Sequence, residues 1–455
     1  DFVCNGLVFP DRSLKPVLAE CAKLFQPITA RSAQPLSGRV TVRNGQHFTG
    51  LERVALRWTL QVEGEAVLTG TMALPEIGPG REAELDLSSA WTAEALSRVA
   101  EGESFLFLEF LTSDATAWSA AGHRLGWEQM PLAAVGADRA KHRPVALPGV
   151  PARLSSSGGL WTASGGGSAK SEVGAWRARF SEEGFLESLA GAHGEILASA
   201  LVMNLWRAPT ENDGLKLFID RRGLPDFEFY YKDKVMYRWI DAGLDRLAYT
   251  LSSMRAEPAL PGLSICHEVR TGAGLRAGRL VQEWRFEGSG PSCSFLFDLD
   301  AALPELPRIG LACALTAGFE EVNWYGLGPH ECYSDRRAGA WMARHASSVD
   351  GLQVPYVLPQ ENGNRTGVRE VELGAAGGRT LRIASAGSFD FSASHHGVEQ
   401  LWKARHSSEL SRRPETFLTL DVAQRGVGTA ACGPDTLERY RLRPGVHRLE
   451  LAFTP

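Results

Sequence analysis

The chain has 455 residues, of which 44% are hydrophobic and 22% charged, a balance typical of a globular protein with more than one domain. Its formal net charge of −5 argues against the basic surface that nucleic-acid-binding proteins carry. No window approaches the ~18 uninterrupted apolar residues of a membrane-spanning helix, so neither nucleic acid nor a membrane is expected as a partner.

The seven cysteines are odd in number and scattered, and no two of them form a CxxC pair. This pattern predicts neither a structural zinc site nor a disulfide framework. Reduced thiols are the simplest expectation, and they are typical of cytoplasmic proteins. We therefore expect a cytoplasmic location.

Residues 1–26 are predicted to form a strand, a turn and a helix. The run at 6–9 is short and apolar, and Pro10 begins a turn. Apolar residues then recur near helical spacing at Leu14, Val17, Leu18, Cys21 and Leu24. A single strand–helix unit cannot bury both of its faces, so we expect it to pack into a larger body. Because Asp1 already lies inside this element, we also expect the chain to be a piece of a longer protein.

Residues 27–133 are predicted to form a small immunoglobulin-like β-sandwich. Apolar and polar residues alternate at 39–42 and at 55–62, and the run FLFLEF at 105–110 indicates another buried strand. Glycine-containing turns separate these runs, for example at 77–80. Several short strands over about a hundred residues are typical of this fold.

A linker is predicted at residues 134–155, where prolines and charged residues are frequent. From 156 to 455 the sequence is mostly strand-like, for example at 280–286 and 416–422, and sustained helical periodicity is scarce. A strand-rich unit of this length is best accommodated by two large sheets packed face to face, a β-supersandwich. The predicted fold class is therefore mainly β.

The segment NWYGLGPHECYSDRR at residues 323–337 combines aromatic rings, glycines and charged side chains. Aromatic faces cover apolar C–H patches, which is how proteins contact sugar rings. Glycines let the backbone approach other groups closely. Two interpretations follow: a well-ordered corner of a β-sandwich, which is favoured on local grounds, or a sugar-binding surface.

Five segments, in this order, resemble the C-terminal portion of the family 2 glycoside hydrolases, specifically the large β-galactosidases. They are NGLVFPDR (5–12), TAWSAAGHRLGWEQ (116–129), LWRAPTENDG (205–214), NWYGLGPHECYSDRR (323–337) and VPYVLPQENGNRTGVRE (354–370). The resemblance covers essentially the whole chain. It implies the end of a catalytic (β/α)8 barrel at 1–26, followed by an immunoglobulin-like domain and a galactose mutarotase-like supersandwich.

The resemblance also implies an activity, the hydrolysis of terminal β-galactosides such as lactose with retained anomeric configuration. That chemistry uses two carboxyl groups ~5–5.5 Å apart. In the family both glutamates lie upstream of the position matching Asp1, so no catalytic residue is assigned here and the chain is expected to be inactive alone. The expected partners are the N-terminal catalytic part of the same enzyme, a galactoside substrate and further copies in a homo-oligomer.

Two residues match a sodium site of the family, in which an aromatic residue gives its backbone carbonyl and an asparagine its side-chain oxygen. Phe2 and Asn5 occupy those places, and both are expected to contact the sugar in the intact enzyme. Oxygen donors suit a hard cation such as sodium. Magnesium is also expected for the intact enzyme, whereas this chain holds only part of the sodium site. The alternative is that Asn5 merely caps a barrel strand.

The sequence departs from the family in the last loop, GVGTAACGPDT, at 426–436. Some β-galactosidases carry a tryptophan there that stacks on the sugar, whereas this chain has Cys432 and Gly433. A small thiol cannot stack in that way, so the resemblance assigns Cys432 only a weak substrate contact.

Several acidic residues invite a catalytic role that the sequence does not support. Glu331 and Glu361 are better explained as hydrogen-bond partners of a loop backbone or of an arginine such as Arg336. The same holds for the turn residues Glu211, Asn212 and Asp213, which are expected to brace Arg207.

Two other functions stay open at this point. The chain is alternatively a free-standing carbohydrate-binding module, or an aldose-mutarotase-like protein.

Overall fold

The computed structural model describes residues 6–132, 152–166, 175–225, 232–257 and 261–455. The chain divides into two compact units. The first comprises residues 1–141 and 338–344, and the second comprises 142–337 and 345–455. No helix in the described ranges is both long enough and apolar enough to cross a membrane.

The helices are short. Those of the described residues are α1 (Val17–Leu24), α2 (Ala93–Val99), α3 (Val235–Ala242), α4 (Val349–Leu352) and α5 (Val398–Lys403). Short 3-10 helices add Pro35–Ser37, Ser88–Ala90, Lys216–Arg221, Ser407–Glu409 and Glu438–Tyr440. Most of the remaining ordered chain is strand, which confirms the mainly β fold class.

The first unit is a sandwich of two antiparallel sheets. Its strands are β1 (Ile28–Arg31), β2 (Arg39–Asn44), β3 (Val54–Val62), β4 (Glu65–Ala73), β5 (Glu82–Asp86), β6 (Ser104–Thr112) and β7 (Arg124–Pro131). Within the described residues the sheet orders are β1-β2-β5 and β4-β3-β6-β7. Val42 of one sheet and Leu56, Leu106 and Phe110 of the other are fully buried in one core. This arrangement confirms the predicted immunoglobulin-like sandwich.

A distant segment completes this unit. Gln129 on β7 donates its amide Nε2 to the backbone oxygen of Met342 at 2.7 Å and accepts that residue's N–H at 2.8 Å. The Trp341 ring packs against Phe107 and Trp127, with centroids 5.9 and 5.4 Å away. Residues 338–344 therefore belong to the sandwich by contact, although they lie far from it in sequence.

The second unit contains a five-stranded sheet and a large sheet. Its strands are β8 (Arg153–Ser157), β9 (Leu160–Gly165), β10 (Trp176–Phe180), β11 (Leu186–Gly191), β12 (Gly194–Glu195), β13 (Val202–Asn204), β14 (Leu247–Ala256), β15 (Gly262–Thr271), β16 (Arg276–Glu287), β17 (Gly290–Leu299), β18 (Arg308–Leu315), β19 (Phe319–Gly328), β20 (Trp341–Ser348, of which residues 341–344 belong to the first unit), β21 (Arg365–Ala375), β22 (Thr380–Ser394), β23 (Thr416–Gln424) and β24 (Val446–Thr454).

In the parts of the chain that the structure describes, the small sheet has the order β12-β11-β10-β9-β8. The main path of the large sheet is β13-β18-β23-β22-β24-β17-β16-β15-β14, and β21 pairs with both β19 and β22.

Alternation along these strands explains how the core of the second unit forms. On β17, Phe295 and Phe297 are fully buried, whereas Ser294, Leu296 and Asp298 are partly exposed. Successive side chains on a strand point to opposite faces, so one face of β17 is apolar. Trp284 on β16 joins the same core at 1% exposure. This large strand-rich unit is the expected location of the predicted supersandwich.

Two local expectations can be compared with the structure. Helix α1 forms where it was predicted, but residues 6–9 form no strand, and Val8 makes only a single bridge to Leu14. A lone strand needs a neighbouring strand for its backbone hydrogen bonds, which explains the difference.

The barrel origin of 1–26 stays a prediction. Most of the predicted linker at 134–155 lies outside the described residues, and its last three residues belong to β8.

Candidate functional site

The aromatic residues of the segment 323–337 are part of the core. Trp324, Tyr325 and Tyr333 are each at most 2% exposed. The Trp324 indole donates to the backbone oxygen of Leu327 at 3.1 Å, and the guanidinium of Arg365 lies over its ring at 5.3 Å. These rings cannot contact a sugar from solution, so the structural interpretation of the segment is confirmed.

Glu331 lies in the same segment and is held by three donors. Its side chain is 1% exposed and accepts hydrogen bonds from the Gly363 N–H at 2.7 Å, from the Tyr356 hydroxyl at 2.5 Å and from the Arg336 guanidinium. Gly363 has φ +77°, a conformation that favours glycine, and this geometry aims its N–H at the carboxylate. The expected role of Glu331 as a partner of an arginine and a loop backbone is confirmed.

A second buried ion network lies at β18 and β23. The guanidinium Nη2 of Arg308 lies 3.2 Å from Glu361 and 3.1 Å from Asp421, and all three residues are at most 6% exposed. One guanidinium thus contacts two buried carboxyl groups. Burial, with smaller contributions from the negative charges of Asp390 and Glu361, raises the pKa of Asp421 to about 8 although the positive charge of Arg308 opposes this rise. Asp421 therefore holds a proton at neutral pH.

This proton predicts a pH-dependent effect of Asp421→Asn. The unfolded chain releases the Asp421 proton near the ordinary pKa of 3.8, whereas the folded chain keeps it up to about pH 8. The folded state binds more protons between these values, so wild-type stability falls as pH rises through this window. The variant lacks this fall.

We expect the stability of Asp421→Asn relative to wild type to improve by about 2–4 kcal/mol between pH 5 and pH 8. Urea unfolding at both pH values measures the difference. A difference that does not change with pH would show that the folded chain already carries Asp421 as a carboxylate at pH 5.

Arg207 and Asp213 form a third network, with no solvent exposure for either side chain. The guanidinium Nη2 lies 2.8 Å from Asp213 Oδ1, and Nη1 donates to the backbone oxygen of Arg425 at 2.7 Å. Asp213 also accepts from the N–H and the hydroxyl of Thr210. The expectation that this turn braces Arg207 is confirmed for Asp213.

Side chains of Asp335 and Asn212 hydrogen-bond to the backbone of the loop at 426–436. Asp335 accepts from the N–H groups of Val427 and Gly428 at 2.9 and 2.7 Å. Asn212 donates to the Gly428 backbone oxygen at 2.8 Å and accepts the Ala431 N–H at 3.1 Å. Side chains from two of the motif segments thus fix the shape of the loop.

Cys432 lies in this loop and is exposed. Its N–H and that of Gly433 both donate to the backbone oxygen of Thr429, at 3.2 and 2.8 Å. The loop therefore presents a small thiol on a turn with a defined conformation. The structure does not test the contact between Cys432 and substrate, which stays a prediction.

Phe2 and Asn5 lie outside the described residues, so the sodium site also stays a prediction.

His330 is unsuited to donating a proton at neutral pH. Burial, together with the positive charges of Arg365 and Arg336, lowers the pKa of His330 to about 4. A neutral imidazole is the result, and its Nε2 has no hydrogen-bond partner among the residues that the structure describes.

One cluster of metal-type ligands occurs in the described residues, formed by Glu320, Asp350 and His395, whose ligand atoms lie within 4.8 Å of one another. Arg412 already pairs with both carboxylates, at 2.7 Å to Glu320 and 3.2 Å to Asp350. His395 donates its Nδ1–H to the backbone oxygen of Glu415 at 3.0 Å, and its Nε2 lies 3.1 Å from Glu320. Since the guanidinium supplies the positive charge, the cluster is an ion-pair network.

Four buried residues of these networks were not predicted from the sequence: Arg308, Asp421, Arg425 and Lys216. A signal was present for Asp421, because a charged residue interrupts the apolar run TFLTLDV of β23. A charge inside such a run is costly to bury unless it is paired, and it therefore indicates a partner elsewhere in the chain.

The comparison with known families agrees with the fold. Residues 172–454 match the family model described as β-galactosidase small chain, and residues 40–133 match the one described as β-galactosidase domain 4. The chain belongs to the β-galactosidase family. The two matches fall on the second and first units respectively, so both units have counterparts in β-galactosidases.

Similar curated proteins carry the same name. A β-galactosidase from Arthrobacter sp. (strain B7) is 29% identical over 99% of this chain and 43% of its own length. Those from Aeromonas hydrophila and Erwinia tasmaniensis are 31% and 32% identical over 98% and 100% of this chain. The matched regions make up 40% and 41% of the lengths of these two relatives. The chain thus corresponds to a C-terminal portion and spans about two fifths of the relatives it matches.

Among solved structures, a galactose mutarotase-like protein from Lactobacillus casei matches 61% of this chain and 96% of its own. The sequence identity is 11% and the TM-score 0.32. The family assignment therefore rests on the sequence matches.

Proposed function

We propose that this chain is the C-terminal part of an enzyme that hydrolyses terminal non-reducing β-D-galactosides of the lactose type with retained configuration. The observation that supports this is the match to β-galactosidases over 98–100% of the chain. The substrate class, the retaining course and the cytoplasmic location are parts of the proposal.

The proposal places the catalytic step outside this chain. A retaining hydrolase needs a nucleophile and an acid/base carboxyl ~5–5.5 Å apart in a site that admits the sugar. Two of the buried carboxylates in the described residues pair with arginines: Glu331 with Arg336, and Glu361 with Arg308. Each is closed off from solvent, so neither can meet a glycosidic bond. The N-terminal catalytic part of the same enzyme would supply both carboxyls.

An exposed apolar surface supports such a partner. Helix α1 buries none of its residues, and five large apolar side chains at residues 7–25 are exposed: Leu7 at 47%, Val8 at 39%, Leu14 at 68%, Leu24 at 64% and Phe25 at 79%. Contiguous exposed apolar side chains mark interaction surfaces. We assign this N-terminal apolar surface to contact with the catalytic part. Sodium, magnesium and homo-oligomer formation belong to the intact enzyme in this proposal.

In the intact enzyme we place the loop at 426–436 beside the sugar, where it contributes shape and not chemistry. Buried donors and acceptors fix the loop, so Cys432 would be presented in one position. A thiol offers less contact area than an aromatic ring, and we expect weak binding of the leaving-group sugar.

The direct test is an assay of the pure 455-residue chain with a nitrophenyl β-galactoside, using an expression host without its own β-galactosidase. The proposal expects no turnover above the buffer control. Hydrolysis that follows the chain through purification, and that Glu331→Gln abolishes, would place the catalytic carboxyls in this chain and contradict the proposal.

A further inference from the structure

A small pocket of the second unit lies between two segments, residues 353–362 and 396–410. It encloses about 220 Å³. This is the room of about seven water molecules and lies below the ~300–1,000 Å³ of sites for drug-sized ligands. The size suits one sugar ring.

The lining of this pocket is neutral and mixed. Gln353, Gln360, Asn362, His396 and Ser407 supply polar groups, and none of the described residues that line the pocket is Asp, Glu, Lys or Arg. Proline, leucine and valine side chains supply the apolar part. A charged ligand would lose its hydration without gaining a counter-charge, whereas a neutral polyhydroxylated ring offers both hydroxyls and C–H faces.

Two glutamine side chains of the lining are fixed at one end and available at the other, whereas Asn362 is held at both ends. Gln360 uses its carbonyl oxygen to accept the Glu211 N–H at 3.0 Å, which leaves its NH₂ group as a donor. Gln353 uses its NH₂ group on the Ser394 hydroxyl, which leaves its oxygen as an acceptor. Asn362 is held by the Val354 N–H and by the Gln360 backbone oxygen, both at 3.0 Å.

His396 is oriented in the same manner. Its Nδ1 lies 3.1 Å from the side-chain oxygen of Gln400 and 3.3 Å from the backbone oxygen of Ser411. Both partners are acceptors, because the NH₂ group of Gln400 itself donates to Ser411. Nδ1 therefore carries a proton, and Nε2 is left to face a ligand hydroxyl.

Lys216 holds the two walls together. Its ammonium group donates to the backbone oxygens of Pro359 at 2.5 Å, Leu401 at 2.9 Å and Ala404 at 2.7 Å, and Lys216 is 6% exposed. Pro359 and Leu401 also line the pocket. Burial lowers the pKa of Lys216 to about 8, so the ammonium form persists at neutral pH. A cation at the C-terminal carbonyls of α5 is favourable, and it fixes the spacing of the walls.

We propose that this pocket binds one neutral monosaccharide, a hexose such as galactose or glucose. The proposal does not depend on the function proposed above, since every wall of the pocket comes from this chain and no catalysis is involved. A ligand of this size with partly exposed hydroxyls is expected to bind weakly, with a dissociation constant of about 1 mM or above.

Saturation-transfer NMR on the purified chain tests the proposal, with D-galactose, D-glucose and galacturonate as probes. We expect saturable binding of a neutral hexose, and binding of galacturonate that is about tenfold weaker because no cation lines the pocket. Absence of saturation by both hexoses up to about 100 mM would overturn the proposal.

Two tryptophan variants locate the site. Ser407 lines the pocket and Ser408 does not, and both are exposed. We expect Ser407→Trp to weaken hexose binding about tenfold or more, and Ser408→Trp to leave it unchanged. Equal binding by both variants would overturn the assignment. If Ser407→Trp fails to fold, a crystal structure of the wild-type chain soaked with galactose gives the second test. Sugar density in this pocket would support the assignment, and sugar density elsewhere would contradict it.

Discussion

Replacing Arg207 with methionine is expected to lower the free energy of unfolding by about 3–5 kcal/mol. Among the described residues, Arg207 is the only positively charged one that hydrogen-bonds Asp213, and the substitution removes it. The guanidinium of Arg425 lies 3.8 Å from the same carboxylate. Asp213 would keep only the two donors of Thr210 while it stays fully buried. The backbone oxygen of Arg425 would also lose its donor. Denaturant unfolding measures the loss.

Two controls make this measurement specific. Arg279→Met removes an ion pair with Asp298 whose side chains are 46% and 34% exposed, and we expect no measurable change in stability. The double variant Arg207→Met/Asp213→Asn should be more stable than Arg207→Met alone, because it no longer buries an unpaired charge. If Arg207→Met is as stable as wild type, the Arg207–Asp213 pair does not stabilise the fold.

Phe25→Asp is expected to abolish assembly with the catalytic part and to leave the stability of the isolated chain within ~0.5 kcal/mol. Phe25 is 79% exposed, so its replacement removes little packing from this chain. In the proposed complex the same side chain would be buried, and a carboxylate there would lose its hydration. Co-purification of the two parts, followed by an assay with a nitrophenyl galactoside, gives the readout.

Phe25→Leu is the matched control, since it keeps an apolar side chain at the same position. We expect this variant to assemble and to restore activity at close to the wild-type level. If Phe25→Asp assembles as well as Phe25→Leu does, the N-terminal apolar surface does not contact the catalytic part.

The strands were largely predictable because their signal is local. The alternation at 55–62 became β3 (Val54–Val62), and the run at 105–110 became β6 (Ser104–Thr112). In both cases neighbouring residues decide which face is apolar. The strand predicted at 6–9 did not form, because strand formation also depends on residues far away in the sequence. Its composition is strand-like, but a strand forms only with a partner strand, and composition carries no information about partners.

Strand pairing was beyond sequence analysis. Strand β18 pairs with β23, so that Leu311 lies opposite Leu420 although more than a hundred residues separate them. Many other apolar strands would offer an equivalent face to Leu311. The choice depends on the whole sheet and not on either strand alone.

The candidate site was predictable in part. The roles of Glu331 and Asp213 as partners of arginines followed from charges placed close together in glycine- and turn-rich segments. The Arg308–Asp421 pair did not follow, because it depends on a register shift at Gly310 opposite Asp421. A Cβ atom at Gly310 would lie 2.2 Å from Asp421 Oδ1, so this glycine makes room for the carboxyl group.

The central claim is that this chain completes a β-galactosidase whose catalytic carboxyls lie in another part of the enzyme. The most direct measurement is hydrolysis of a nitrophenyl β-galactoside by three samples: the chain, the N-terminal catalytic part, and the two combined. We predict turnover in the combined sample and none with the chain alone. Turnover by the chain alone, or an inactive combined sample in which both parts are folded and bound to each other, would contradict the claim.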